Sequence, residues 1–187
     1  LGHCIAPPSV PGGADGEVCL VYEYGAHGSL AQCLADDALA AALGWKARVR
    51  LATRLSSVLN FLHRHTKPPV YHRDVKSANV VLCDGFEPKL IDCGLAKLLS
   101  ADAAEEHAAG RSVFTVGSTV AQALGTTGYQ CPQYLANPRQ YGDRNEVFSF
   151  GIVLLELLIG QLNASSEPWL SRRFVNHDML LETEEEG

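Results

Sequence analysis

Between Trp45 and His65 the apolar residues Leu51, Leu55, Val58 and Leu62 recur at i, i+4, i+7 and i+11, with Ala52 and Leu59 beside them. That spacing sets them on one stripe of a 3.6-residue helix. Pro68-Pro69 stops it, because neither ring can continue the hydrogen-bond ladder. A second helix is expected from Val147 to Ile159, apolar on nearly every side. Such a composition predicts burial all round, at the centre of a helical layer. Shorter runs read as strands: Val18-Cys19-Leu20-Val21-Tyr22 as a buried one, then Val70-Tyr71, Val80 to Cys83 and Lys89-Leu90-Ile91. Asp84-Gly85 between the last two suggests a hairpin turn. Gly25 and Gly28 punctuate the chain, after which Ser29 is placed to cap a short helix from Leu30 to Leu34. Three segments lack periodicity: the Pro- and Gly-rich stretch from Pro7 to Gly13, the Ala-, Gly-, Ser- and Thr-rich stretch from Ser100 to Leu124, and the acidic run from Glu182 to Glu186, read as a solvated tail.

Charge and composition narrow the function. With 15 Lys+Arg against 21 Asp+Glu, the net charge is −6. No basic excess exists to displace counterions from nucleic acid or an anionic bilayer, so neither is an expected partner. The longest apolar stretch, Phe150 to Ile159, is interrupted by Glu156 and is shorter than the roughly 18 to 20 residues a membrane span needs. The six cysteines, Cys4, Cys19, Cys33, Cys83, Cys93 and Cys131, form no C-x-x-C pair and are too sparse for a disulfide scaffold. They read as free thiols of a reducing, cytoplasmic compartment. The chain opens on Leu1 in mid-pattern, as a sequence cut from something longer would.

The chemistry is concentrated in Tyr71-His72-Arg73-Asp74-Val75-Lys76-Ser77-Ala78-Asn79 and Leu90-Ile91-Asp92-Cys93-Gly94. Bringing a triphosphate and an attacking hydroxyl together needs hard oxygen ligands for metal ions, which Asp92 and the Asn79 amide supply. It needs an acceptor within reach of the hydroxyl, a role open to Asp74. It also needs a cation for the charge gathering on the phosphoryl oxygens, and Lys76 points the right way if the segment turns. A metal site built from His63, His65, His72 and Cys83 is the poorer alternative, since residues two apart diverge on a helix.

These residues resemble the catalytic loop H-R-D-x-K-x-x-N and a variant D-F-G motif of eukaryotic protein kinases. In the same order, Leu20 to Tyr24 resembles the hinge strand and Gly28-Ser29-Leu30 the start of the next helix. Gly125-Thr126-Thr127-Gly128-Tyr129-Gln130-Cys131-Pro132-Gln133 resembles G-T-x-G-Y-x-A-P-E, and Glu146 to Gly151 resembles D-V-Y-S-F-G. The wording is closest to plant receptor-like and Pelle kinases of the Ser/Thr type, from Leu1 to about Leu162. The resemblance implies Asp74 as catalytic base, Lys76 as γ-phosphate contact, Asn79 and Asp92 as Mg²⁺ ligands, and Thr126 bonded near Asp74. It implies that backbone groups of Glu23 and Gly25 hold the adenine edge of ATP, with Tyr22 as gatekeeper and Val81 packed on the base. Arg73 would receive an activation-loop phosphate through charge-assisted bonds, with Ser112, Thr115, Ser118 and Thr119 as candidate acceptors.

The resemblance also implies an α+β fold, the protein kinase-like one. It would be mostly the helical large lobe, with a remnant of the small-lobe sheet and the hinge. Residues 1–24 would be the small-lobe remnant and hinge strand, 25–162 the large lobe, and 163–187 an incomplete C-terminal part with an acidic tail. No G-x-G-x-x-G loop, strand Lys or partner helix Glu occurs, as expected of a domain cut at both ends, since kinase domains run to about 250 residues. The implied function is ATP- and Mg²⁺-dependent phosphoryl transfer to Ser/Thr of protein substrates, under an upstream receptor or adaptor and in the intracellular part of a membrane receptor. The alternative is an impaired pseudokinase or kinase-fragment module acting by protein binding. Three departures bear on that choice. Cys93 stands where the family has an aromatic packed under the His72 position, a loss of core volume that costs about 2 to 5 kcal/mol unless neighbours collapse inward. Gln133 replaces an ion-pairing Glu, and Glu146 replaces the Asp that anchors the catalytic-loop backbone. The segment from Asp92 to Gln133 exceeds the usual activation segment by about ten residues.

Overall fold

The computed structural model describes residues 2–5, 18–99, 113–115 and 123–163. The expected long helix is present as α3, Trp45–Asn60, after α1 (Leu30–Ala35) and α2 (Asp37–Ala42), and it runs on through a π-helical turn at Phe61–His65. Its buried stripe is Leu51, Leu55, Leu59 and His63, at strict four-residue spacing. Val58 and Leu62, expected on the stripe's centre, lie half-buried at its edge. Ser29 caps α1 as expected: its hydroxyl accepts from Gln32 N at 3.2 Å, and the Gln32 side chain accepts from Ser29 N at 2.8 Å. Asp36 does the same for α2, a helix not expected from the pattern, accepting from Ala38 N and Leu39 N at 2.9 Å each.

Strands pair only two by two among the described residues. β1 (Gly2–Ile5) is antiparallel to β2 (Val18–Val21), and β3 (Val70–Tyr71) to β6 (Lys97–Leu98). The expected hairpin is β4 (Val80–Leu82) with β5 (Pro88–Leu90), with Val81 opposite Lys89. Its turn is longer than Asp84-Gly85 alone. Cys83 N donates to Glu87 O at 2.9 Å, and the chain turns through Gly85 and Phe86, both at positive φ. The segment read as aperiodic from Ser100 to Leu124 contains β7 (Val113–Thr115), paired with β8 (Gln140–Gly142). The Pro7-to-Gly13 stretch and the acidic run lie outside the described residues.

After α4 (Pro132–Ala136), the second apolar helix is α5, Asp143–Ile159, four residues longer at its start than expected. It is not buried all round. Ser149, Ile152, Val153, Glu156 and Leu157 are buried, but Val147 is 59% and Leu158 58% exposed. Its open side continues onto α3, where Trp45 is 63% exposed, in a groove lined by Trp45, Val49, Leu154 and Leu158. Hydropathy alone set no limit on that face, because burial depends on what else packs there. None of the described helices is long and apolar enough to cross a membrane.

Arg48 joins three elements. Its Nε donates to Leu43 O at 2.7 Å, Nη1 to Leu157 O at 2.6 Å and Nη2 to Ala40 O at 3.1 Å. These carbonyls belong to helix ends, which lack intrahelical donors. Gly160, at φ 75°, turns the chain out of α5 where a Cβ would meet Arg48 Nη1 at 3.0 Å. Replacing Arg48 by Met keeps much of the apolar stem and removes all three bonds. Urea unfolding should show a loss of about 2 to 3 kcal/mol, the range for buried charge-assisted bonds; an unchanged midpoint would contradict the bracing role.

Candidate active site

The loop from His72 to Asn79 joins β3 to β4 and is held at both ends. Glu146, fully buried on α5, accepts from Arg73 N at 2.6 Å through Oε1, while its Oε2 is hydrogen-bonded to His63 Nε2 at 2.6 Å. Tyr141 OH also donates to Oε1, at 3.5 Å. The extra methylene of Glu146 therefore leaves the loop's backbone anchor in place. Arg73 sits at φ 69°, a left-handed turn that the anchor stabilises. Beside it, Asp143 receives hydrogen bonds from Tyr71 OH and, at 2.5 Å, from Arg64 Nη2.

That turn brings four of the expected residues into one cluster. Thr126 Oγ1 donates to Asp74 Oδ1 at 2.7 Å and accepts from Lys76 Nζ at 2.7 Å. Lys76 Nζ also lies 2.8 Å from Asp74 Oδ2. Asn79 Nδ2 donates to Asp74 Oδ2 at 3.0 Å and to Asp74 O at 2.8 Å. Burial is the largest influence on the Asp74 carboxyl and opposes ionisation. The hydrogen bonds from Lys76 and Thr126, the Lys76 charge and the Asn79 bond together outweigh it, so its pKa lies below the usual carboxylate value.

Asp92 is tied to this cluster through its neighbour. Ile91 N donates to Asn79 O at 2.9 Å, and Ile91 O accepts from His72 Nε2 at 2.9 Å. His72 Nδ1 accepts from Asp74 N at 3.3 Å, so the tautomer with its proton on Nε2 satisfies both ends of the ring. Asp92 follows at φ 64° and caps the turn Cys93–Leu95 by accepting from Gly94 N at 3.3 Å. With Asn79 Nδ2 turned to Asp74, its amide oxygen is the atom left for a ligand. That oxygen and the exposed Asp92 carboxyl are both hard donors, the chemistry a divalent cation takes.

Of the expected nucleotide-edge residues, Gly25 and Val81 come together where the segment after β2 meets β4. His27 N donates to Leu82 O at 3.0 Å and Leu82 N to Gly28 O at 2.8 Å, which zips the segment after β2 onto that strand. Gly25 is required there: a Cβ would fall 1.9 Å from Val81 Cγ1. Glu23 is paired with Lys89, and Tyr22 is 66% exposed.

Arg73 is buried, with its guanidinium 5.6 Å from the Tyr141 ring centre and its Nη2 donating to Tyr134 OH at 3.5 Å. Its Nε has no partner among the described residues. Ser112, Ser118 and Thr119 lie outside the described residues, and Thr115 is on β7. Cys93 is exposed, so its small side chain is not the filler of a core position, while His72 is buried nonetheless. Gln133 is exposed. The histidine-cysteine metal alternative does not assemble among the described residues, because His63 is committed to Glu146 and no cluster of three ligands occurs.

A buried network beneath Thr126 was not expected. Ser77 Oγ donates to Tyr129 OH at 3.0 Å, which donates to Glu156 Oε1 at 2.6 Å, and Asn163 N donates to the same oxygen at 2.8 Å. Ser149 Oγ donates to Tyr129 O at 2.7 Å. Burial raises the Glu156 pKa, with the Tyr129 and Asn163 hydrogen bonds opposing it. One signal was available: Glu156 is the single acid within the apolar run from Phe150 to Ile159.

Comparison with known proteins accords with this geometry. The family described as protein kinase domain matches residues 13–181. In Arabidopsis thaliana, the serine/threonine-protein kinase PBS1 is 40% identical over 169 residues, covering 89% of this chain and 32% of that protein. The receptor-like serine/threonine-protein kinase NCRK is 39% identical over 161 residues, covering 86% of this chain and 26% of that protein. The proline-rich receptor-like protein kinase PERK13 is 38% identical over 161 residues, again 86% of this chain but 19% of that protein. The chain thus spans less than a third of the length of these relatives.

The Asp74 cluster makes a pH prediction. A lowered folded-state pKa means that the folded chain binds the Asp74 proton less tightly than the unfolded chain does. Its stabilising contribution is then complete above the ordinary carboxylate value and is lost as pH falls through the lowered one. Carboxyl ¹³C titration should find Asp74 below the ordinary carboxylate value, and Lys76→Met should move it upward. A value at or above the ordinary one, unmoved by that substitution, would contradict the assignment.

Proposed function

This chain belongs to the protein kinase family, and we propose that it carries the phosphoryl-transfer site of a serine/threonine protein kinase that moves the terminal phosphoryl of ATP to a protein hydroxyl. The single observation that carries this reading is Asp74. Its carboxyl is half-buried, held ionised by Lys76, and fixed by Thr126 and Asn79, as a base that must accept a hydroxyl proton in one orientation requires. The kinase names borne by PBS1 and NCRK support the choice of serine and threonine.

In this reading Asp74 accepts the proton of the incoming hydroxyl, and Lys76 Nζ balances charge on the phosphoryl oxygens. Thr126 keeps both in register. Asn79 and Asp92 hold Mg²⁺, which when bound neutralises phosphate charge. Backbone groups of Glu23 and Gly25 hold the adenine edge, Tyr22 flanks it, and Val81 packs against the base. Arg73 braces the loop through Tyr134 and Tyr141 in the form described, and a loop phosphate on Ser112, Thr115, Ser118 or Thr119 would have to draw its guanidinium out. Residues 1–24 serve as small-lobe remnant and hinge strand, 25–162 as large lobe and 163–187 as an incomplete C-terminal part. The substrates are proteins, the setting is the cytoplasmic side of a receptor or its adaptor, and nucleic acid has no part. The motif departures at Cys93 and Gln133 support a second reading, a non-catalytic binding module.

Labelled ATP separates the two. In the natural protein that carries this chain, label should enter a generic Ser/Thr substrate and fall at least about a hundredfold in Asp74→Asn, the scale of a lost general base. Asp92→Ala should abolish Mg²⁺-dependent ATP binding. No incorporation above the Asp74→Asn background would establish the binding module instead.

A further inference from the structure

An ionised carboxyl group accepts hydrogen bonds on both oxygens and has no hydrogen to give. On α5 the Glu156 side chain is fully buried, and its donors arrive on one oxygen only: Tyr129 OH at 2.6 Å and Asn163 N at 2.8 Å both reach Oε1. Oε2 is buried and has no hydrogen-bond partner among the described residues. Among them, the one other buried side-chain oxygen without a partner is Asn163 Oδ1, on the residue whose backbone N–H already meets this carboxyl. Turning the Asn163 amide over does not relieve it, because Nδ2 donates to Gly128 O at 2.8 Å. Nor does a cation compensate the carboxyl, since no ion pair among the described residues includes Glu156. The groups that face it are neutral: Tyr129, kept protonated by burial, Asn163, and beyond Tyr129 the Ser77 hydroxyl. Charged groups on the elements packed around it are engaged elsewhere. Lys76 is held by Asp74 and Thr126, Arg48 of α3 by three carbonyls, and Glu146 of α5 by His63, Arg73 N and Tyr141 of β8. The Cys33 thiol of α1, in the same core cluster, is kept neutral by burial. A bare carboxylate in such surroundings is costly. Burial accordingly holds the Glu156 carboxyl above its ordinary value, against the hydrogen bonds on Oε1.

We propose that Glu156 keeps its proton at neutral pH, on Oε2 with Asn163 Oδ1 as the acceptor, and serves as an uncharged, pH-sensitive latch between α5, Tyr129 and the turn at Asn163. One hydrogen turns an unsatisfied acceptor into a donor and supplies the other unsatisfied oxygen at the same time, while Oε1 goes on accepting from Tyr129 and Asn163. Through Tyr129 and Gly128 the latch fixes the segment that carries Thr126. When the proton leaves to solvent, an uncompensated negative charge remains in the core and that segment is released. The sign follows from the raised value. The closed latch binds the proton more tightly than the opened one, so its stabilisation is complete below the ordinary carboxylate value and is lost as pH rises through the raised one. The latch depends on burial and unspent oxygens alone, and stands whether or not the chain transfers phosphate.

Infrared difference spectra of the natural protein that carries this chain, wild type minus Glu156→Gln, read the proton directly. At neutral pH the difference should contain the C=O band of a protonated carboxyl, and alkaline titration should remove it. Labelling glutamate carboxyls with ¹³C should shift that band in the wild type alone, a reading that holds even where the Gln variant does not fold. Amide exchange at Tyr129, whose N–H is bonded to Thr126 O at 3.1 Å, gives the energetic side. Opening that releases one proton makes the wild-type opening constant, relative to that of Glu156→Gln, rise by about tenfold per pH unit between the ordinary carboxylate value and the raised one. Glutamine cannot ionise, so the variant lacks that slope. A carboxylate band in place of the protonated one, or parallel pH profiles for the two proteins, would overturn the proposal.

Discussion

A fully buried carboxyl group on α5 has two obligations in this structure, and the site depends on its meeting both. One Glu146 oxygen accepts the Arg73 backbone amide and the other meets His63. A buried acid is costly unless each oxygen is hydrogen-bonded, and here the satisfied state demands that α3, α5 and the loop after β3 keep one relative placement. The left-handed turn at Arg73 follows from that demand, and the Asp74 cluster follows from the turn. Substituting Glu for a shorter acid lengthens the arm without freeing the loop, because His63 and Tyr141 hold the carboxyl from two sides.

Beneath the same loop, Ser77, Tyr129 and Glu156 form a second buried chain of hydrogen bonds. It ties the segment carrying Thr126 to α5, as Glu146 ties the segment carrying Asp74. The two sides of the Asp74–Thr126 bond are therefore braced by one helix, ten residues apart along it. Low local dielectric strengthens such networks when complete and penalises them when broken. Glu156 Oε2 and Asn163 Oδ1 have no partner among the described residues, which makes this second network the less satisfied of the two.

What the sequence revealed follows from how local each signal is. The Ser29 cap and the α3 stripe are decided within a few residues, and the structure has both. Strands β1, β6 and β7 are two to four residues long and exist only through partners remote in sequence, so no pattern disclosed them. The all-round burial expected of α5 failed because hydropathy reports what a face tolerates, while neighbours decide what covers it. At the site, Asp74, Lys76 and Asn79 were legible because their chemical types crowd into one short loop. His63 was not, since its partner is 83 positions away. Cys93 was expected to weaken a packed position, yet the structure puts it in solvent and keeps His72 buried without it.

Amide hydrogen exchange at Arg73 tests the central claim most directly. If Glu146 holds the loop, this amide is strongly protected in the folded chain, and His63→Gln, which keeps a donor near Oε2, largely preserves that protection. Glu146→Leu, which fills similar volume without an acceptor, should release it by at least about tenfold while amides in the middle of α3 stay protected. Equal protection of Arg73 in both variants would mean that the loop is positioned by something other than this carboxyl group.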